Sequence, residues 1–264
     1  MITQPHTAAK DGPLDGAATK AETATSAVLT LCGVAVGMEG RAILRDVTLT
    51  ARDKRIGIVG RNGSGKTTLA RVMAGLIAPD EGRVEVCGVD VLKDRRGALG
   101  AVGILFQNPD HQIIFPTVEE EIAFGLTQMG RTKVEAAAAT RAMLERFGKA
   151  HWASAATHSL SQGQKQLVCL MAVLVMEPAL IVLDEPFSGL DIATRMQLMR
   201  CLDAVEASIA LITHDPATVQ GFDRVIWLEG GEVIGDGTPD QVLARFERQM
   251  QIWGGQDDLS DLTG

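Results

Sequence analysis

No stretch of this sequence is long and apolar enough to span a bilayer. The longest uninterrupted apolar run, Leu167 to Met176, ends after ten residues at Glu177 and Pro178, about half of the roughly 20 that a spanning helix needs. Excess positive charge is also missing. A formal net charge of −8 argues against a broad nucleic-acid surface, so any anion site must be compact, made of backbone amides and one or two lysines. Cys32, Cys87, Cys169 and Cys201 lack the paired spacing of zinc sites, and each sits among apolar neighbours, as a small core residue in a reducing cytoplasm would. Residues 1–27 contain no continuous apolar segment of the signal-peptide kind, and their Ala, Thr, Gly, Asp and Lys content reads as a disordered tail. The polar, glycine-rich stretch over 249–264 reads as a short mobile tail. With 264 residues, 46% of them hydrophobic, the part between these tails can bury a sizeable core.

That part opens with short β-branched segments near Val28 to Val36 and Leu44 to Thr50, set off by glycines and charged turns, which read as strands. Next comes "RIGIVGRNGSGKTTLARVMAGL": an apolar strand at Ile56 to Val59, a glycine loop, and an amphipathic helix with Leu69, Val72, Met73 and Leu76 on its apolar side. Gly60, Gly65, Lys66 and Thr67 match G-x-x-x-x-G-K-[ST] between strand and helix. Glycines allow a tight path on which consecutive amides, here from Gly60 through Asn62, Gly63, Ser64 and Gly65 to Thr68, point at phosphate oxygens. The helix adds its positive end. Lys66 would neutralise β- and γ-phosphate oxygens, and the Thr67 hydroxyl would ligate Mg²⁺. A glycine turn that happens to carry a lysine is the alternative, and the complete pattern in its strand–loop–helix setting disfavours it.

The second half narrows the chemistry. "ALIVLDEP" is a short apolar strand closed by Asp184 and Glu185. Asp184 would hold Mg²⁺ through its water shell, and Glu185 would polarise the water that attacks the γ-phosphate. Two carboxylates at a strand end also suit a solvated turn; it is their pairing with Gly60 to Thr67 that favours catalysis. A further strand, Ile209 to Thr213, ends in His214 and Asp215. In an open α/β sheet, groups at the carboxyl ends of strands line the ligand crevice, which places His214 near Glu185. His6, His111, His151 and His158 have no such position and read as structural or surface residues.

With these residues in place, the chain from about Val28 to Arg248 resembles an ABC-type ATPase domain. The phosphate loop, Gln107 after "VGILFQ", "LSQGQ" at Leu160 to Gln164, "IVLDEP", "SGLD" at Ser188 to Asp191 and "THD" around His214 occur in that family's order. No Asn-Lys-x-Asp segment of the GTPase kind is present. The resemblance implies an α/β fold: a P-loop NTPase (RecA-like) core over 28–248, an N-terminal antiparallel β subdomain and a helical insertion over about 108–176. It implies that Gln107 senses Mg²⁺ and the γ-phosphate, and that Asp191 lies in a loop communicating between two subunits. It further implies that Ser161, Gly163 and Gln164 cap an ATP held by a second ATPase subunit, identical or paralogous. Ser161 with Gln164 also fits a capping box, so helix-start chemistry and ligand contact are compatible. Three departures stand out. Gln162 replaces a frequent glycine, Leu167 replaces a common arginine, and Gly37-Met38 stand where an adenine-stacking aromatic is usual.

The segment "NPDHQIIFPTVEEEIAFGL" resembles that of the ATPase components of energy-coupling factor (ECF) transporters, and "LSQGQKQLVCLMAVLVMEP" with "EPFSGLD" looks most like the biotin-type members, with cobalt or nickel systems close behind. This implies a peripheral place on the cytoplasmic face of the membrane, a transmembrane T component docking near Asp110 and Glu119 to Glu121, a substrate-binding S component, and no direct contact with the cargo. Thr117 with Glu120 also reads simply as a capping box. The ATPase of an ordinary ABC importer or exporter is a further alternative, and a soluble, non-transport ABC protein fits less well, because the sequence has one phosphate loop, one signature strip and no sustained heptads.

Overall fold

The computed structural model describes residues 27–254, so the expected tails lie outside it except for residue 27 and residues 249–254. Ten strands and seven α-helices are described. β1 (Leu29–Met38), β2 (Arg41–Ala51), β4 (Glu81–Val86) and β5 (Val89–Asp90) form an antiparallel sheet in the order β2-β1-β4-β5. The second sheet has the order β10-β9-β3-β8-β7-β6, built from β3 (Arg55–Val59), β6 (Val102–Leu105), β7 (Leu180–Asp184), β8 (Ser208–Thr213), β9 (Arg224–Glu229) and β10 (Glu232–Gly237). Its pairs are parallel except for β9 with β10. The carboxyl ends of β3, β6, β7 and β8 therefore share one edge, where a ligand crevice forms.

Period-two alternation divides the core between the two faces of the large sheet. Ile181 and Leu183 point to one side with Ile209, Leu211, Val225 and Trp227; there they meet α3 (Val118–Gln128), α4 (Lys133–Arg146), α5 (Gln162–Leu174), α6 (Ile192–Asp203) and α7 (Pro239–Gly254). Leu180 and Val182 point to the other with Ala210, Ile212, Ile226 and Leu228, against α1 (Lys66–Met73), α2 (Arg95–Ala101) and the antiparallel sheet. Covering on both faces is why these strands read as nearly continuous apolar runs.

The expected helical insertion is present as α3, α4 and α5. Three local expectations change. The helix after the phosphate loop stops at Met73, because Gly75 takes φ +68 and turns the chain, leaving Leu76 outside the helix and exposed. Cys87 is not a core residue: at φ +49 it forms, with Gly88, the exposed turn between β4 and β5, whereas Cys169 is fully buried. α7 runs to Gly254, past the expected tail boundary at 249, because Met250 and Trp253 pack on the core.

Leu170 is fully buried in the middle of α5. Leu170→Ala is expected to lower unfolding free energy by about 2–5 kcal/mol, read from the midpoint of a urea titration; a loss under about 1 kcal/mol would contradict this packing.

Candidate functional site

The phosphate loop is held by what surrounds it. A Cβ on Gly60 would lie 2.1 Å from the Leu228 carbonyl oxygen and 2.7 Å from Ser64 Oγ, so only glycine lets β3 turn this close to β9. Gly65, at φ +102, precedes α1, which has neither a side-chain cap nor an acidic residue in its first turn. Its leading amides and positive end are thus left for an anion. Lys66 is 6% exposed, and its Nζ donates to the Gly60 and Arg61 carbonyl oxygens at 2.8 Å each. Burial lowers the Lys66 pKa, while the nearby Glu185 and Asp184 charges oppose that fall.

Asp184 and Glu185 close β7 and are both buried. The Thr67 hydroxyl donates to Asp184 Oδ1 at 3.3 Å. Burial pushes the Asp184 carboxyl above the usual range, against the hydrogen bond from Thr67. A desolvated carboxylate beside a hydroxyl at a phosphate loop suits a hard, oxygen-seeking divalent cation that takes its other ligands from phosphate and water. Glu185 adopts φ +50, a left-handed conformation uncommon for a long side chain, with its amide bonded to the Ile212 carbonyl at 3.0 Å. Its Oε2 lies 2.8 Å from His214 Nδ1. A carboxylate only accepts, so Nδ1 carries the proton and Nε2 is the ring nitrogen left over for another group.

Gln107 follows β6 at the same edge. Asn62, Gly63, Gly65, Lys66, Thr67, Thr68, Gln107, Glu185 and His214, with Ile43, line one cleft of about 370 Å³. Gly60, Ser64 and Asp184 do not line it but lie directly behind. Ser64 is buried, with its amide bonded to the Arg61 carbonyl and its own carbonyl bonded to the Gly231 amide. Met38 is half-exposed and is not part of this wall; Ile43 is its apolar residue.

Ser161, Gly163 and Gln164 are elsewhere. With Lys149, Trp152, Leu167, Thr194, Gln197 and Leu198 they line a second cleft of about 250 Å³, which shares no lining residue with the first. The capping box is formed: the Gln164 amide donates to Ser161 Oγ at 3.3 Å, and the Ser161 amide donates to Gln164 Oε1 at 2.8 Å. A Cβ on Gly163 would meet Thr194 Cγ2 at 2.6 Å, so this glycine is required for the contact between α5 and α6 inside the chain. Leu167 is buried and joins the core.

Several positioning groups gave no sequence signal. Buried Gln166 donates from Nε2 to the Phe106 carbonyl at 3.2 Å, and Gln112 Oε1 accepts from the Phe106 amide at 3.1 Å. Lys165 Nζ lies 2.6 Å from Asp110 Oδ1. Together they tie α5 to the segment around Gln107. Glu121, one of the four expected docking carboxylates, is 6% exposed, and its Oε2 accepts from the Ile114 and Phe115 amides at 2.9 Å each. It is occupied inside the fold, whereas Asp110 pairs with Lys165 but keeps a 63% exposed side chain. Glu119 and Glu120 instead line a groove between α3 and α4 with a floor of Ala123, Ala136 and Ala153. Of the expected capping box only one half forms: the Glu120 amide donates to Thr117 Oγ1 at 3.4 Å, while the Glu120 carboxylate takes the Thr117 hydroxyl rather than the Thr117 amide.

A parallel sheet with a lysine-bearing glycine loop after one strand, and paired carboxylates after another, defines a P-loop nucleoside triphosphatase. The ABC transporter family model matches residues 44–188, and the chain belongs to that family as an ATP-binding, ATP-hydrolysing component. It is 50% identical over 218 residues, 83% of this chain and 93% of the relative, to the biotin transport ATP-binding protein BioM of Rhodobacter capsulatus. A protein of the same description from Rhizobium etli is 40% identical over 81% of this chain and 94% of its own length. Among solved structures, cbiO1 of Clostridium perfringens, described as part of the ABC transporter complex cbiONQ, superposes with a TM-score of 0.71 at 30% identity, over 86% of this chain and 94% of that one.

The buried Asp184 carboxyl yields a pH test. Its folded pKa is raised, so below the ordinary aspartate range both folded and unfolded forms are protonated and burial costs nothing. As pH rises towards the folded value, the unfolded chain ionises first and stability falls. Nucleotide-free Asp184→Asn is therefore expected to melt higher than the parent at pH 8, with the difference shrinking as pH drops through the raised pKa towards the ordinary range. Calorimetric melting between pH 4 and 8 checks this; a parent that melts higher at pH 8 would refute it.

Proposed function

We propose that this chain is the ATPase subunit of an ECF-type importer and works as a pair that closes over two ATP molecules to drive vitamin uptake, with biotin as cargo. The observation that carries the paired reading is the separation of the two clefts. Lys66, Thr67, Gln107, Glu185 and His214 share one, while the serine–glycine strip of Ser161 to Gln164 lies in another. Within one chain the strip has no place against the phosphate loop, and a second ATPase subunit supplies one.

Lys66 would exchange its two carbonyl partners for β- and γ-phosphate oxygens, with amides of the loop and the start of α1 around them. Thr67 and Asp184 would hold Mg²⁺, with Gln107 reaching it through water; the ion supplies charge neutralisation at the transferring phosphoryl group. Glu185 accepts the proton of the attacking water, and His214 orients Glu185 through Nδ1 while its Nε2 side meets the γ-phosphate. Two or three charge-assisted hydrogen bonds per strip, at about 1.5–3 kcal/mol each over two sites, total about 6–18 kcal/mol. Association costs about 4–15 kcal/mol. The terms are comparable, so closure depends on the γ-phosphate and hydrolysis reopens the pair.

No helix among the described residues is long and apolar enough to cross a membrane, so the transport path belongs to partners: a transmembrane T component and a substrate-binding S component, with this chain peripheral on the cytoplasmic face. The groove between α3 and α4, with Glu119 and Glu120 at its rim, suits a basic helix of the T component. The cargo reading rests on the biotin transport relatives at 50% and 40% identity.

Glu185→Gln is expected to slow ATP turnover at least about 100-fold and to trap an ATP-bound dimer visible by size-exclusion chromatography with light scattering. Unimpaired turnover would remove Glu185 as the base. Glu119→Lys with Glu120→Lys is expected to abolish co-purification with the membrane subunits, and unchanged recovery would move the docking site elsewhere. Identifying the co-purified partners and the labelled cargo they carry, biotin against cobalt or nickel ions, tests the transport reading.

A further inference from the structure

The residue that follows the first glycine of the phosphate loop, Arg61, is gripped from two sides. Its Nε donates to Glu229 Oε1 at 2.9 Å, and its Nη2 lies 2.8 Å from the same oxygen. Its guanidinium carbon sits 4.0 Å above the centre of the Trp253 ring. Trp253 is on the last turn of α7 and stands edge-on to Trp227, ring centres 6.4 Å apart, which in turn stands edge-on to Phe246 at 5.4 Å. Through this stack the end of the described chain reaches a loop nearly two hundred residues earlier.

Arg61 is also part of the loop's internal bonding. Its carbonyl accepts from Lys66 Nζ at 2.8 Å and from the Ser64 amide at 3.2 Å. Glu229 ends β9, the strand whose Leu228 carbonyl blocks any side chain on Gly60. The second Glu229 oxygen, Oε2, is buried with no hydrogen-bond partner, and Lys66 feels the Glu229 charge. A carboxylate in this position disfavours a polyanion next to Lys66 unless a cation offsets it, and Arg61 is that cation. The Arg61 side chain is 48% exposed, so solvent weakens the ion pair, and the Trp253 face is what fixes the guanidinium over Glu229.

We propose that Arg61, Glu229 and Trp253 form a clamp that sets the phosphate loop for nucleotide, making the end of α7 a positioning element of the ATP site. This rests on the reading of Gly60 to Thr67 as the phosphate site. Arg61 and Trp253 act through the loop: Arg61 holds the backbone that Lys66 and Ser64 use, and screens Glu229.

The test uses the full-length protein, with the dissociation constant for Mg·ADP by titration calorimetry and steady-state ATPase kinetics. Trp253→Leu keeps apolar bulk on the core but removes the aromatic face. It is expected to raise Kd and KM about threefold with kcat within twofold, while Trp253→Phe recovers most of the loss. Arg61→Ala is expected to weaken binding about tenfold, and adding Glu229→Gln to it is expected to restore most of the affinity, because the uncompensated charge is then gone. A purely structural role for α7 would lower the melting temperature without this recovery. Wild-type affinity in Trp253→Leu, or no recovery in the Arg61→Ala/Glu229→Gln double variant, overturns the clamp. Lys66→Ala separates the two readings: if it binds Mg·ADP normally, the phosphate site itself is misplaced, whereas lost binding alongside an unaffected Trp253→Leu rejects the clamp alone.

Discussion

One buried ammonium facing two buried carboxylates is the constraint on which the rest of the site depends. Lys66 reaches one edge of the sheet from the start of α1, after the loop that follows β3, Asp184 and Glu185 reach it from the end of β7, and each is largely removed from water. Burial favours the neutral forms of Lys66 and Asp184; the carboxylate charges oppose this at Lys66, while at Asp184 the Thr67 hydrogen bond opposes it and the neighbouring Glu185 charge adds to it. Lys66 turns to the carbonyls of its own loop, and Asp184 accepts from the Thr67 hydroxyl at 3.3 Å. The arrangement is satisfied but not saturated: it has room for negative oxygens at the lysine and for a cation at the aspartate.

The sheet makes this tension affordable in structural terms. Ile181 and Leu183 anchor β7 from one side, and Leu180 and Val182 anchor it from the other. A strand fixed on both faces cannot slide to relieve the charges at its end. Glu185 in particular keeps a left-handed backbone at φ +50, a strain that persists where surrounding structure over-determines it. The strand's amide ladder and the Glu185–Ile212 bond carry that determination. His214, directly after the neighbouring strand β8, meets Glu185 because β7 and β8 are parallel and in register, with Asp184 opposite Ile212.

The elements that bear apolar periodicity or a dense glycine pattern were legible in the letters: the strand before Gly60, the strand ending at Asp184, the strand before His214 and the box of Ser161 with Gln164. The contacts that were not legible join residues far apart in sequence through groups without local pattern. Gln166 looks like any polar residue of a helix start, yet it is buried and bonds the Phe106 carbonyl. Glu121 reads as the third of three first-turn acids, and α3 happens to turn it inward onto two loop amides. The helix after the phosphate loop ends early because Gly75, packed so close to the Val91 carbonyl oxygen that a Cβ would lie only 2.6 Å from it, takes a turn that the apolar spacing through Leu76 conceals. Trp253 falls in a polar, glycine-bounded stretch, and only the aromatic stack on Trp227 reveals its place.

α5 resolves the abrupt change in its own sequence, from a polar strip to ten apolar residues. Its first turn, capped by Ser161 and Gln164, faces the second cleft; its next two residues, Lys165 and Gln166, hold Asp110 and the Phe106 carbonyl beside Gln107; and the remainder is buried core. A helix is stiff along its axis, so these contacts are spaced on one rod. Its apolar part is anchored in the core, where Leu170 and Met171 are fully enclosed. The Gln107 segment and the Ser161 turn are thus joined by a single stiff element through a few named bonds, Lys165 to Asp110 and Gln166 to the Phe106 carbonyl.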